Sequence, residues 1–120
     1  MTETGCLKGR RVLVVEDEFF LAEDLARGLE EKGAEVVGPS GDIDDALDLI
    51  EDAVRLDGAV LDLNLRGEMA FPVADALMER GIPFVFTTGY DAASIPSRYR
   101  DVVRCGKPVD APKIARALFG

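Results

Sequence analysis

Residues 11–33, RVLVVEDEFFLAEDLARGLEEKG, place a strand, a cluster of acids and a helix in direct succession. The apolar, largely β-branched run at 11–15 has the composition of a core strand, and Glu16-Asp17 close it. Over residues 19–32, Leu21, Leu25 and Leu29 recur at the four-residue spacing of one helix face, and Gly33 supplies a stop. A strand feeding straight into an amphipathic helix is the first half of a βαβ unit. Such units build parallel sheets with helices on the faces.

The same alternation continues downstream. Residues 34–37 read as a second strand closed by Gly38-Pro39; a second helix follows, with Ile43, Ala46, Leu47, Ile50 and Val54 on one face and Ser40 or Asp42 as its N-cap. Residues 58–61 are continuously apolar, as expected for a strand buried on both faces, and residues 63–70 form a polar loop containing Gly67. Pro72 opens a third helix with Val73, Ala76 and Leu77 inward and Gly81 at its end, before a fourth strand at 82–87. Pro96 interrupts residues 91–101, which show no clean period, so a fourth helix is expected to be short or mobile. Residues 102–105 give a fifth strand. Asp110 caps a last helix with Pro112 in its first turn and Ile114 and Leu118 inward. The expected fold is α/β, a doubly wound, five-stranded parallel sheet.

Of the 120 residues, 48% are hydrophobic, enough for a real core. No linker, repeat or low-complexity segment divides them. Residues 10–120 therefore read as one domain behind a flexible tail at 1–9, with no room for a separate output domain. Lys and Arg total 14 against 23 Asp and Glu, a formal net charge of −9, which disfavours nucleic acid and anionic membranes as partners. No run approaches the roughly 20 apolar residues of a membrane helix, and Cys6 and Cys105 have neither zinc-type spacing nor the number for a disulfide scaffold. A cytoplasmic protein is expected. With no histidine at all, Ser-His-Asp and Cys-His nucleophile pairs and His-ligated metals are excluded. Any chemistry rests on carboxylates, hydroxyls and lysine.

Such groups stand at the ends of the strands. Glu16-Asp17 follow the first, Asp62 the third, Thr88 the fourth and Lys107 the fifth. In an open parallel sheet those carboxyl ends line one crevice, where α/β folds bind ligands. Three acids gathered there repel one another and call for a cation, and an all-oxygen donor set suits Mg²⁺, with Asp17 and Asp62 as direct ligands and Glu16 in the outer shell. Asp62, after the most buried strand, is the candidate nucleophile toward phosphorus. Lys107 would neutralise developing phosphoryl charge and Thr88 would donate its hydroxyl. Thr87 is the rival, since only one of two successive strand residues faces the site. Gly89 leaves room for a phosphoryl group or a water.

Val-Val-Glu-Asp-Glu at 14–18, Leu-Asp-Leu-Asn at 61–64, Thr-Gly at 88–89 and Lys-Pro at 107–108 together resemble the receiver domains of two-component response regulators, over about residues 10–118. The resemblance implies the flavodoxin-like sheet order 2-1-3-4-5. It also implies Asp62 as acceptor of a phosphoryl group from a kinase phosphohistidine, with Mg²⁺ held by Asp17, Asp62 and the backbone carbonyl of Asn64, and by Glu16 through water. Thr88 would be the switch hydroxyl and Lys107 the ion-pair partner of the phosphoryl group. Such a domain catalyses only its own phosphorylation and dephosphorylation. It signals to a protein partner or drains phosphoryl groups from a kinase or a histidine phosphotransfer protein. Residues 83–90, PFVFTTGY, are similar to the motif of the FAT GUY subgroup, with Thr87 in place of Ala, which implies HWE-type kinases and stress signalling in alphaproteobacteria. Arg104 stands where most receivers carry Tyr or Phe, so Tyr90 or residues 91–101 are expected to report phosphorylation instead. Two other classes compete. Asp62-Leu63-Asn64 superficially resembles the Asp-x-Asp of haloacid-dehalogenase-like phosphatases, although these carry it after the first strand and need a cap; a non-phosphorylated interaction module has no use for the intact acid set.

Overall fold

Val12, Leu13, Val14 and Val15 on strand β1 (Arg11–Val15) are all buried, yet they alternate between two separate cores. Leu13 and Val15 enter one and Val12 and Val14 the other, the period of two that a strand covered on both faces requires. A computed structural model describes residues 6–89 and 95–120. Its main sheet adds β2 (Glu35–Ser40), β3 (Gly58–Asp62), β6 (Phe84–Thr88) and β7 (Val103–Gly106), and a small hairpin holds β4 (Asn64–Leu65) and β5 (Glu68–Met69). All four pairings in the sheet are parallel and the order is β2-β1-β3-β6-β7. With the hairpin left out, this is the expected 2-1-3-4-5.

Helices α1 (Phe19–Glu31) and α4 (Ala111–Phe119) cover one face through Leu25, Leu29 and Ile114. The other lies under α2 (Ile43–Asp52), α3 (Phe71–Glu79) and the 3₁₀ turn Ser97–Tyr99. Asp42, not Ser40, caps α2 by accepting from the Asp45 N–H at 2.7 Å, and Asp110 caps α4 at 3.0 Å from the Lys113 N–H.

Several expectations need correction. Strand β2 does not close at Gly38-Pro39 but runs through them to Ser40, with a register shift opposite residues 13–15 of β1. An edge strand tolerates both the proline and the bulge. Gly38 at φ 94 is required there, since a Cβ would lie 3.0 Å from the Val14 carbonyl oxygen. The extension has a use: the Ser40 carbonyl accepts the Glu16 N–H at 2.8 Å, anchoring the turn that carries the acids. Helix α2 ends before Val54, which is 97% exposed and not part of the apolar face. The polar loop is the β4–β5 hairpin. Residues 6–9 are not a free tail, because Leu7 is buried in the α1/α4 core and its N–H donates to the Lys32 carbonyl at 2.8 Å. Residues 1–5, Tyr90 and residues 91–94 lie outside the described residues. Beyond them, Ser97–Tyr99 form one 3₁₀ turn, and among the described residues no α-helix stands between β6 and β7. No described helix is long and apolar enough to cross a membrane.

Candidate functional site

The sheet reverses its winding direction between β1 and β3, and Val15 pairs with Leu61, so the residues that follow them share the crevice at the switch point. That register is what joins Glu16 and Asp17 to Asp62. On the other side Asp62 pairs with Thr87 and Thr88 pairs with Gly106, which delivers Thr88 and Lys107 to the same edge.

The Lys107 Nζ lies 2.8 Å from Asp62 Oδ2 and 3.0 Å from Glu16 Oε1, bridging two acids that are 4% and 8% exposed. Glu16 also accepts the Glu18 N–H at 3.0 Å, while Asp62 Oδ1 accepts the Asn64 N–H at 3.1 Å. Asp17 accepts the Arg66 N–H at 2.9 Å. The Asn64 side chain turns into the hairpin, where its Oδ1 accepts from the Gly67 N–H at 2.7 Å.

Burial raises the Glu16 pKa to about 7; the Glu18 N–H and Lys107 pull it down, and the neighbouring Asp62 adds to the rise. Burial works in the same direction on Asp17. There the Arg66 N–H and bonds with Glu16 and Asp62 prevail, and its pKa is lowered. For Lys107 desolvation opposes the charge, but the bonds to Asp62 and Glu16 outweigh it and hold the ammonium above its ordinary range.

Glu16, Asp17 and Asp62 each offer one carboxylate oxygen, all within 4.8 Å of one another. A hard divalent cation fits this donor set: the oxygens are close, the local charge is negative, and Asp17 and Asp62 open onto a cleft of ≈ 640 Å³. Asn64, Arg66, Thr88, Gly89 and Lys107 also line that cleft. Thr88 therefore faces the site. Thr87, only 2% exposed, points to the opposite face beside Glu16, Leu21 and Val60, as the strand period demands.

Arg104 is exposed on β7, so no aromatic side chain lies there. Among the described residues a nearby aromatic group is Tyr99, 1% exposed, which the sequence did not single out within residues 91–101. Its ring stacks on Phe71 at 5.2 Å and meets Phe86 of β6 edge-on at 5.7 Å. Its hydroxyl donates to Asp75 Oδ1 and lies 3.3 Å from the Phe71 carbonyl oxygen, while Arg98 holds the same carboxylate from 3.1 Å. One tyrosine after a proline carries no periodic signal that could have revealed this. The second residue that sequence reasoning missed is Arg66, because a polar loop gives no hint which of its members returns to the site.

No protein-family model matches the chain. It is 40% identical to SdrG from Sphingomonas melonis Fr1, known from a solution structure, with a TM-score of 0.78 and coverage of 98% of this chain and 96% of that one. A response regulator protein from Burkholderia pseudomallei, crystallised with a phosphorylated aspartic acid, calcium ion and citrate, is 26% identical over 91% of this chain and 66% of its own, at a TM-score of 0.76. The transcriptional regulatory protein PdtaR of Mycobacterium tuberculosis is 32% identical over 101 residues, 83% of this chain. This chain spans about half (49%) of PdtaR's length. With the sheet order, the acid cluster and the bridging lysine in place, the chain belongs to the receiver domains of two-component response regulators.

Proposed function

We propose that Asp62 accepts a phosphoryl group from a histidine kinase phosphohistidine, and that this receiver domain is a switch read by partner proteins. The observation that carries this reading is the setting of Asp62. It is 4% exposed at the end of the most buried strand, bonded to Lys107 at 2.8 Å and beside two further acids. A carboxylate oxygen of Asp62 forms the bond to phosphorus, and the bond from phosphorus to the donor nitrogen breaks with its electron pair left on the imidazole. Asp17, Asp62 and the Asn64 backbone carbonyl would hold Mg²⁺, with Glu16 acting through water. When bound, the cation supplies charge neutralisation for phosphoryl oxygens. Lys107 exchanges its Asp62 oxygen for a phosphoryl oxygen, and the Thr88 hydroxyl turns toward the new charge. The calcium ion and phosphorylated aspartate of the Burkholderia relative support both parts of the reading.

The switch would leave the site along β6. Thr88 and Phe86 share one face of that strand, and Phe86 touches Tyr99, so movement of Thr88 displaces the ring that ties the 3₁₀ turn to α3. The PFVFTTGY segment and the likeness to SdrG support placement in the FAT GUY subgroup with an HWE-type kinase or histidine phosphotransfer protein, in a bacterial cytoplasm.

Incubation with Mg²⁺ and acetyl phosphate should add one phosphoryl mass per chain, with no adduct when the metal is chelated or in Asp62→Asn. An adduct of equal yield in Asp62→Asn would overturn the assignment.

A further inference from the structure

The hairpin beside Asp62 breaks its own local rule. Its two loop residues, Arg66 and Gly67, both take positive φ, 53 and 89, which is the turn that favours Asn-Gly or Asp-Gly. Among the described residues Arg66 is the one non-glycine at positive φ. A residue with a Cβ is strained in this conformation, and Arg lacks the short polar side chain that lets Asn or Asp tolerate it. Backbone strain of this kind concentrates at functional sites. The backbone contribution of residue 66, its N–H to Asp17 Oδ2 at 2.9 Å, would be made equally by Asn or Gly. What arginine adds is the guanidinium.

That group lines the cleft with Asp17, Asp62, Thr88 and Lys107. Lys107, the other cation there, is committed to Asp62 and Glu16. The Arg66 guanidinium is exposed and has no hydrogen bond or ion pair among the described residues, and its Nη2 lies 3.8 Å from where a Cβ on Gly41 would stand, beside Asp17. An entering phosphoryl donor is an anion approaching Asp17, Glu18 and Asp62. A free fork of N–H donors on the rim, matched to phosphoryl oxygens, offsets that repulsion.

We propose that Arg66 is a specificity-determining residue of the phosphoacceptor cleft, its guanidinium binding non-bridging oxygens of the incoming phosphoryl donor. The inference rests on Asp62 being the acceptor. It further requires that the benefit scale with donor charge and fade as salt screens it.

The test is the second-order rate of phosphorylation, followed by intact mass with Mg²⁺, for wild type, Arg66→Lys and Arg66→Asn at low and high ionic strength. Acetyl phosphate, a dianion, is compared with the less charged phosphoramidate. Arg66→Asn suits the turn, so its melting temperature should equal or exceed that of wild type. Its rate with acetyl phosphate should nonetheless fall roughly fivefold at low salt, the scale of one solvent-screened charged contact. The deficit should shrink in high salt and with phosphoramidate, and Arg66→Lys should recover much of it. An unchanged rate in Arg66→Asn, or a deficit equal at all salts and for both donors, would overturn the role of Arg66. Absence of any adduct in wild type would instead remove the Asp62 reading on which it stands.

Discussion

The two cores that sandwich the sheet are made of different side chains. Among the described residues of the α1/α4 face every buried member is aliphatic or small, from Leu7 and Leu29 to Ile114, and no aromatic ring is fully enclosed. On the α2/α3 face Phe84, Phe86 and Tyr99 are buried and Phe71 packs against them, with Asp75 and Arg98 closing the cluster at its rim. An aliphatic core is held by contact area alone. A ring wedged between two elements and tied by one hydroxyl is a contact of the kind that switching transitions repack. On the function proposed above, the first face supplies stability and the second carries the signal.

The largest expected effect breaks the first half of that contrast. Leu29→Ala removes a fully buried side chain and should cost ~2–5 kcal/mol in urea unfolding. Wherever the variant is folded, its phosphorylation at Asp62 should match wild type. A variant that folds but loses phosphorylation would show that the α1/α4 face does more than support.

Tyr99→Phe is smaller and more discriminating. It keeps the stacking on Phe71 and Phe86 but deletes the hydroxyl bond to Asp75, for a stability loss of ~1 kcal/mol. Chemical modification of Asp62 should proceed at the wild-type rate, while the response of α3 to it should weaken. An undiminished response in α3 would place the route elsewhere.

The smallest effect is a pH dependence. Arg98, and then the Tyr99 hydroxyl, hold the Asp75 pKa below its ordinary value. A carboxylate depressed in the folded state stabilises above its unfolded pKa of ~3.9, and that stability is lost as pH falls through the folded value. Asp75 is half exposed, so solvent screens the contribution. The stability gap between wild type and Asp75→Asn should be constant near neutrality and narrow below about pH 4. A gap that persists unchanged into stronger acid would deny the carboxylate its part in the cluster.

These two faces were unequally legible in the sequence. Glu16-Asp17, Asp62 and Lys107 announce themselves because they stand at the ends of strand-like runs, and parallel pairing brings three distant stretches of sequence to one edge. Choosing Thr88 over Thr87 needed the register as well, since either could have faced the cleft. Tyr99 was invisible because its burial depends on Phe71 and Asp75, more than 20 residues away, and not on any local period. Leu7 belongs to no apolar run long enough to signal an element, and is buried because the Lys32 carbonyl and the α1/α4 core receive it. Gly38-Pro39 reads as a strand end by composition, and only the bulged edge pairing carries the strand past it.

The coupling we propose runs from the acids at the strand ends to the Tyr99 face. Backbone amide NMR of the protein with Mg²⁺, before and after addition of beryllofluoride as a phosphoryl mimic, tests it most directly. Shifts should extend from Asp62 along Thr88 to Tyr99, Asp75 and Lys107, while Leu29 and Ile114 stay in place. A response confined to the Asp62 loop, with Tyr99 and Asp75 unmoved, would contradict it.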